Sequence, residues 1–174
     1  FSACNLSCNF CDSMYANNGS SSHEIAENDL KNLVKKSSNI VFTGGEPLLH
    51  DRKIWHTFKD IIPFDCSVEI ETNGTIDPSK KEFGEEVIEG FHRLYRVQYN
   101  ISPKGNILQD KETNTKPIFL NFIKEQNYRR YIVKFLLQND SDFEYINSVI
   151  DEYNIPLSKI YVQPVGTTRE EMYK

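Results

Sequence analysis

The sequence has no surplus of basic residues and no long apolar run. It carries 20 Lys and Arg against 25 Asp and Glu, a net charge of −5, whereas a protein that tracks a nucleic-acid backbone needs a positive excess. No stretch approaches the roughly 20 apolar residues that cross a bilayer, and no basic segment followed by an apolar one marks a signal peptide. We therefore expect a soluble, cytoplasmic protein that binds neither membranes nor nucleic acid directly.

Cysteines are few, and most of them are clustered. The chain has four, and Cys4, Cys8 and Cys11 fall within eight residues, which favours a metal site in a reducing compartment over a disulfide framework. Structural zinc sites and complete cubane clusters both use four protein ligands. The C-x3-C-x2-C spacing supplies three, so one metal position is left for a ligand that is not protein. Cys66 lies in an apolar run far from this loop and is expected to be a small buried residue.

The length and composition predict a single domain over residues 1–174. With 39% hydrophobic and 12% aromatic residues, the chain can bury one sizeable core. The first residue is Phe1, and the cysteine loop begins at position 4 with no element before it to support it. We therefore expect that the chain is a fragment of a longer protein, with further residues upstream of Phe1.

An alternation of strands and helices is predicted along the chain. Short runs rich in β-branched and aromatic residues predict strands near 39–43, 66–71, 96–102, 130–137 and 159–163. Amphipathic stretches predict helices near 24–37, 52–61, 79–92, 115–126 and 141–153. This order indicates an α/β fold with a parallel sheet and right-handed crossovers, either barrel-like or doubly wound.

Polar and glycine-containing segments follow four of the predicted strands. They are Thr43–Pro47 (TGGEP), Glu71–Gly74 (ETNG), Ser102–Gly105 (SPKG) and Gln163–Gly166 (QPVG). Because the carboxyl ends of parallel strands meet at one edge of a sheet, these segments are expected to form a single site. Each of them alone is also an ordinary turn sequence. The cysteine loop alone is likewise compatible with a structural zinc site completed by a histidine such as His23 or His50.

Together these motifs resemble the radical S-adenosylmethionine (SAM) superfamily. The cysteine loop, with an aromatic residue before its last cysteine, is similar to the superfamily's cluster loop, and Gly44–Pro47 is similar to its GGEP element. The Cys-Asp-Ser, ETNG, SPK and QP elements follow in the order found in the 7-carboxy-7-deazaguanine synthase family. The resemblance implies an incomplete (β/α)6 partial TIM-type barrel, a [4Fe-4S] cluster, SAM and Mg²⁺. It also implies an electron donor such as flavodoxin or ferredoxin, and a homodimer.

The resemblance further implies a reaction. A 5′-deoxyadenosyl radical derived from SAM would convert 6-carboxy-5,6,7,8-tetrahydropterin to 7-carboxy-7-deazaguanine with loss of ammonia, in the biosynthesis of queuosine-type bases. Two alternatives stay open at this point. One is a glycyl-radical-activating enzyme, which is also short and has the same cysteine spacing. The other is a zinc-stabilised α/β binding module that is not an enzyme.

Site residues are carried over from the resemblance position by position. Cys4, Cys8 and Cys11 would hold the cluster. The residues that would bind SAM are Phe10, Asp12, Gly44, Gly45, Glu46, Glu71, Asn73, Ser102, Pro103, Lys104, Gln163, Pro164, Val165 and Gly166, with Glu46 available to pair with the SAM ammonium. Thr43 would face the substrate, and Lys134, a charge inside a predicted strand, is a second candidate for that role. Ser13, where the family usually has Thr, would reach Mg²⁺. The resemblance also implies a native N-terminal strand before the cysteine loop and a substrate-contacting tail beyond Lys174, and the arginine that pairs with the pterin carboxylate in the family aligns before Phe1.

Overall fold

The computed structural model describes residues 1–17, 23–50, 52–77, 96–105 and 116–166. The strands are β1 (Asn39–Phe42), β2 (Ser67–Thr72), β3 (Arg96–Ile101), β4 (Tyr131–Leu137) and β5 (Ile160–Pro164). The helices are α1 (Met14–Asn17), α2 (Glu27–Val34), α3 (Arg52–Ile61), α4 (Phe119–Glu125) and α5 (Asp142–Tyr153), with 3-10 turns at Pro47–Leu49 and Leu157–Lys159. Each of the five predicted strands is present within one residue of its predicted bounds.

The strands form one parallel five-stranded sheet in the order β1-β2-β3-β4-β5. A doubly wound sheet reverses its strand order at a switch point, and this sheet does not. The order therefore follows the winding of a partial barrel, as the resemblance implied. The described part of the chain contains five strands, so the six-strand count is not confirmed there.

The helices differ from prediction mainly at their ends. The structure has α3 at the predicted bounds and α5 one residue shorter, while α2 and α4 are shorter by several residues. Pro117 disfavours helical geometry at Lys116, so α4 begins only at Phe119. The four-residue α1 was not predicted, and the helix predicted at 79–92 lies outside the described residues. Across the described ranges, no helix has the length and apolarity needed to cross a membrane.

The core lies on one face of the sheet. Side chains alternate between the two faces of a strand, and one face carries Val68, Ile70, Val97, Tyr99, Ile101, Val133 and Phe135, all nearly inaccessible to solvent. Helices α4 and α5 contribute Phe119, Phe122, Ile146, Val149 and Tyr153 to the same core. The Tyr99 and Phe119 rings meet edge-on with centroids 4.7 Å apart. Full burial of one such large apolar side chain contributes about 1.5–3 kcal/mol to stability.

The opposite face of the sheet is polar at its centre. Glu69 and Glu71 project there from β2 and Asn100 from β3, since the register places Asn100 beside Glu71. The Asn100 amide donates to Glu71 Oε1 at 2.8 Å and to Glu69 Oε2 at 3.0 Å. Gln98 Nε2 in turn donates to Asn100 Oδ1 at 3.0 Å. A sheet that is apolar towards its helices and polar on its other face has a surface suited to a polar ligand.

Candidate functional site at the carboxyl edge of the sheet

A cleft of about 720 Å³ opens at the carboxyl ends of the strands. That volume is within the range of small-molecule and cofactor sites. Every residue that the sequence assigned to the cluster, SAM, substrate or Mg²⁺ lines this cleft, except Pro103. Pro103 is fully buried beneath it. The four strand-end segments and the cysteine loop thus meet in one place, as predicted, although this placement does not test what each residue binds.

The cysteine loop is fastened to the end of β1 by main-chain hydrogen bonds. Phe1 N donates to Thr43 O at 2.8 Å and Gly45 N donates to Phe1 O at 2.9 Å. One step further, Glu46 N donates to Ala3 O at 2.8 Å. A Cβ on Gly45 would overlap the Ala3 carbonyl group. The resemblance assigns Gly44 and Gly45 to SAM, but the atoms that a Cβ at either position would meet belong to the segment that leads into Cys4.

The three clustered thiols are half-buried and face the cleft. Burial raises the pKa of Cys4, and it raises the pKa of Cys8 to about 11 although the Lys104 ammonium opposes the shift. Metal ligation requires thiolates, so binding of a metal group here would displace protons.

A single zinc ion and a cubane cluster require different distances between the three sulfurs. Three sulfurs on one tetrahedral zinc lie about 3.8 Å apart, because each Zn–S bond is about 2.3 Å. Within the described residues, no three Cys, His, Asp or Glu side chains are gathered in a way that could hold one ion. Sulfurs that ligate different irons of a cubane can lie further apart. His50, one of the histidines considered for a zinc shell, has its Nε2 3.0 Å from Ser2 O.

Glu46 is buried and holds two of the strand-end segments together. It is 1% exposed, and its Oε1 accepts from Leu48 N at 3.0 Å and Thr72 Oγ1 at 2.8 Å. Its Oε2 accepts from Asn73 N at 2.8 Å. Burial raises the pKa of this carboxyl group, and the three hydrogen bonds oppose that shift. Both oxygens thus have partners within the protein, and pairing of Glu46 with the SAM ammonium stays a prediction.

Two asparagine amides reach the cysteine sulfurs. Asn73 Nδ2 lies 3.7 Å from Cys4 Sγ, and Asn17 Nδ2 lies 3.5 Å from Cys11 Sγ. Asn73 had been assigned to SAM on the resemblance alone. No sequence motif singles out Asn17, which is the last residue of a helix that was not predicted.

Lys104 and Lys134 form a basic part of the cleft lining, here called the basic wall. Lys104 Nζ donates to Ser102 Oγ at 2.9 Å. Burial lowers the pKa of Lys104, the cysteines around it raise that pKa, and the neighbouring Lys134 lowers it. Lys134 therefore lies near enough to Lys104 for their charges to interact, and both line the cleft. An anionic group of a ligand is favoured on this side.

Ser13 and Asp12 form a pair of oxygen groups within the cleft lining. Ser13 Oγ donates to Asp12 Oδ1 at 2.9 Å, and both residues line the cleft. A carboxylate and a hydroxyl are oxygen ligands of the kind that Mg²⁺ accepts while keeping several waters.

Some residues that line the cleft had no individual role assigned to them from the sequence. They are Leu6, Asn9, Asn17, Val41, Thr72 and Leu136. Val41 and Leu136 lie on the same face of the sheet as Glu69 and Lys134, so alternation along β1 and β4 could have indicated them. Cys66 is 1% exposed within the core, which confirms the prediction of a small buried residue.

Comparison with known proteins gives a consistent result. The model of the radical SAM superfamily matches residues 1–131. The chain is 26% identical over 172 residues to 7-carboxy-7-deazaguanine synthase of Hyperthermus butylicus, covering 97% of this chain and 68% of that protein. It is 27% identical over 178 residues to the enzyme of the same name from Clostridium acetobutylicum, covering 95% and 70%. The namesake from Thermoplasma acidophilum is 26% identical over 172 residues, covering 94% and 71%.

Proposed function

Since the chain belongs to the radical SAM superfamily and is therefore an enzyme, we propose that it is a lyase of the 7-carboxy-7-deazaguanine synthase type. Its substrate would be 6-carboxy-5,6,7,8-tetrahydropterin, and its products 7-carboxy-7-deazaguanine and ammonia. Membership of the superfamily implies a [4Fe-4S] cluster and SAM. Mg²⁺, a flavodoxin or ferredoxin as electron donor, a homodimer and a single domain over 1–174 belong to the proposal.

One observation carries the proposal. The cysteine loop and the TGGEP, ETNG, SPK and QP elements are far apart in the sequence, yet all of them line one cleft. Parallel pairing alone brings the strand ends to one edge of the sheet, but the cysteine loop follows no described strand and still faces the same cleft. The same elements, in the same order, carry the resemblance to the synthase family, and the three relatives of that name described above align with 94–97% of the chain.

The residues present fit the implied cofactors. Three half-buried thiols face a cleft large enough for a nucleoside-sized ligand, and the main chain beside them is held rigidly by Gly45 and Glu46. When bound, the cluster and SAM supply one-electron cleavage and hydrogen-atom abstraction. The chain's own part is to bind, orient and exclude water. Cys4, Cys8 and Cys11 would hold the cluster, and the backbone of the TGGEP and QPVG segments would lie along SAM.

The polar face of the sheet offers the substrate contacts. Thr43 and Lys134 line the cleft together with Glu71, so hydroxyl, ammonium and carboxylate groups all face the same space. We propose that Lys134 attracts the substrate carboxylate, because it stands on the basic wall. Asp12 and Ser13 would supply oxygen ligands to a Mg²⁺ ion that orients the same substrate.

The test is turnover by the anaerobically reconstituted chain. The protein is incubated with SAM, a chemical reductant and the carboxylated tetrahydropterin, and the products are separated by liquid chromatography with mass detection. We expect a product lighter than the substrate by one ammonia, formed only when SAM and the reductant are present. Loss of ammonia does not change the oxidation state, so the abstracted hydrogen returns and 5′-deoxyadenosine need not accumulate with the product. Cys8→Ala should abolish turnover, whereas Cys66→Ala makes the same chemical change at a core position outside the cleft and should retain the iron.

Two results would contradict these assignments. Bound iron with no pterin-dependent product from the reconstituted chain would overturn the synthase assignment. Zinc in place of iron after anaerobic purification would overturn the radical chemistry as well.

A further inference from the structure

The side-chain amide of Asn73 is hydrogen-bonded to protein groups through both its oxygen and its nitrogen. It is 6% exposed, and its Oδ1 accepts from Thr75 N at 2.9 Å and from Thr75 Oγ1 at 2.6 Å. Its Nδ2 donates to Asn5 Oδ1 at 3.0 Å and also lies 3.7 Å from Cys4 Sγ. An amide nitrogen has two protons to donate, and both are directed at the cysteine loop. The side chain is therefore placed to act on Cys4 rather than on a free ligand.

Asn17 makes the corresponding contact at the other end of the loop. Its Nδ2 lies 3.5 Å from Cys11 Sγ. The backbone of this region is anchored independently, because Ala3 N donates to Ala16 O at 2.7 Å and Ala16 N donates to Ser13 O at 2.8 Å. The amide of Asn17 is thus not what fixes the course of the chain here, and its contact with the sulfur is available for another role.

The surroundings of the Cys8 sulfur differ from those of the Cys4 and Cys11 sulfurs. Among the described residues, no hydrogen bond to its sulfur is present, and the opposite charge that acts on it most strongly is that of Lys104. Each of the three sulfurs therefore has a positively polarised partner, but only Cys4 and Cys11 have an amide.

We infer that Asn73 and Asn17 are positioning residues whose amides donate to the sulfurs of Cys4 and Cys11 and raise the reduction potential of the cluster that these cysteines hold. Reduction adds negative charge, part of which is carried by the sulfur ligands. A donor hydrogen bond stabilises that charge, so it favours the reduced state. This inference rests on the cluster that the family implies, and it is independent of the pterin chemistry.

The test is a reduction potential, measured on the reconstituted full chain without SAM or pterin. The wild type, Asn17→Ala and Asn9→Ala are each titrated under anaerobic conditions, and the reduced cluster is followed by electron paramagnetic resonance. Asn9 is the matched control, because it is an exposed asparagine between Cys8 and Cys11 whose side chain, among the described residues, makes no hydrogen bond to a sulfur. We expect a shift to more negative potential in Asn17→Ala and no shift in Asn9→Ala. Asn17→Gln, which keeps an amide, should return part of the shift.

Asn73→Ala probes the second sulfur and should shift the potential in the same direction. Equal potentials for Asn17→Ala, Asn73→Ala and Asn9→Ala would overturn the inference. So would loss of iron from both amide variants while Asn9→Ala retains it, since the amides would then hold the loop rather than tune the cluster. Absence of pterin turnover by the wild type would count against the proposed function and leave this result unaffected.

Discussion

Gly45 and Ala3 are in such close contact that no side chain fits between them. Any Cβ on Gly45 would overlap the Ala3 carbonyl group, and the neighbouring hydrogen bond from Glu46 N to Ala3 O fixes the two segments at this distance. Cys4 follows Ala3 directly. The first ligand of the predicted cluster is therefore positioned by a glycine that lies 41 residues further along the chain.

Gly45→Ala should impair cluster loading. The added methyl group meets backbone rather than a flexible side chain, so the segment before Cys4 has to move away from β1. We expect bound iron to fall to less than about half of the four atoms per chain that a cubane supplies. Iron and sulfide analysis after anaerobic reconstitution measures this. Asn28→Ala, an exposed position on α2, should load normally, and full iron content in Gly45→Ala would contradict the prediction.

Glu46→Gln should destabilise the fold. The carboxylate accepts three hydrogen bonds in a buried setting, and an amide nitrogen in place of one oxygen would direct its protons at groups that are themselves donors. A loss of about 1–3 kcal/mol in the free energy of unfolding is expected, measured by urea denaturation of the metal-free protein. Glu125→Gln, at an exposed position of α4, should change that free energy by less than about 0.5 kcal/mol.

The alkylation rate of Cys8 should rise at a higher pH than that of an ordinary thiol. Burial raises the pKa of Cys8 to about 11, so the folded protein keeps the unreactive thiol at pH values where an unfolded chain already has thiolate. In the metal-free protein at pH 8, alkylation of Cys8 by iodoacetamide should be at least about tenfold slower than in denaturant.

Peptide mass spectrometry over a time course gives the rate for Cys8 alone. In the folded protein the rate should keep rising between about pH 9 and 11, whereas in denaturant it should level off near the pKa of a model thiol. The same midpoint in both states would show that burial has no such effect.

Asn100→Asp should destabilise the protein in a pH-dependent way. It replaces a buried donor by a third carboxylate between Glu69 and Glu71. Burial and like charge raise the folded-state pKa of the new group above its unfolded value. The destabilisation is therefore small below the unfolded pKa, near 4, and grows as the pH rises through the folded pKa. We expect a cost of about 3 kcal/mol at pH 7.5 that decreases by pH 5.

Urea unfolding at the two pH values measures this difference. Asn32→Asp on the exposed side of α2 makes the same change without carboxylate neighbours from the sheet. A cost that is equal at both pH values would contradict the electrostatic explanation.

The sequence was sufficient to predict the strands and the edge of the sheet where the site lies. Strand ends carry their own local signals, such as the apolar run before Thr43 and the glycines after it, and parallel pairing then brings those ends together. Contacts between distant side chains have no such signal. The amides of Asn17 and Asn73 acquire a role only through neighbours that folding supplies. Two of the three donors to Glu46, Thr72 Oγ1 and Asn73 N, come from a segment that no spacing in the sequence connects to it.

The order of the strands across the sheet is also the order in which they are synthesised. Each strand can pair with one that has already emerged, so β1 to β4 can assemble before Ile160–Pro164 leaves the ribosome. The cysteine loop, TGGEP, ETNG and SPK segments are all in place by then. Of these site segments, Gln163–Gly166 is synthesised after the others, and it supplies the remaining side of the cleft. A chain released before Ile160 would carry the complete cysteine loop and its supports beside a cleft that stays open on the β4 side.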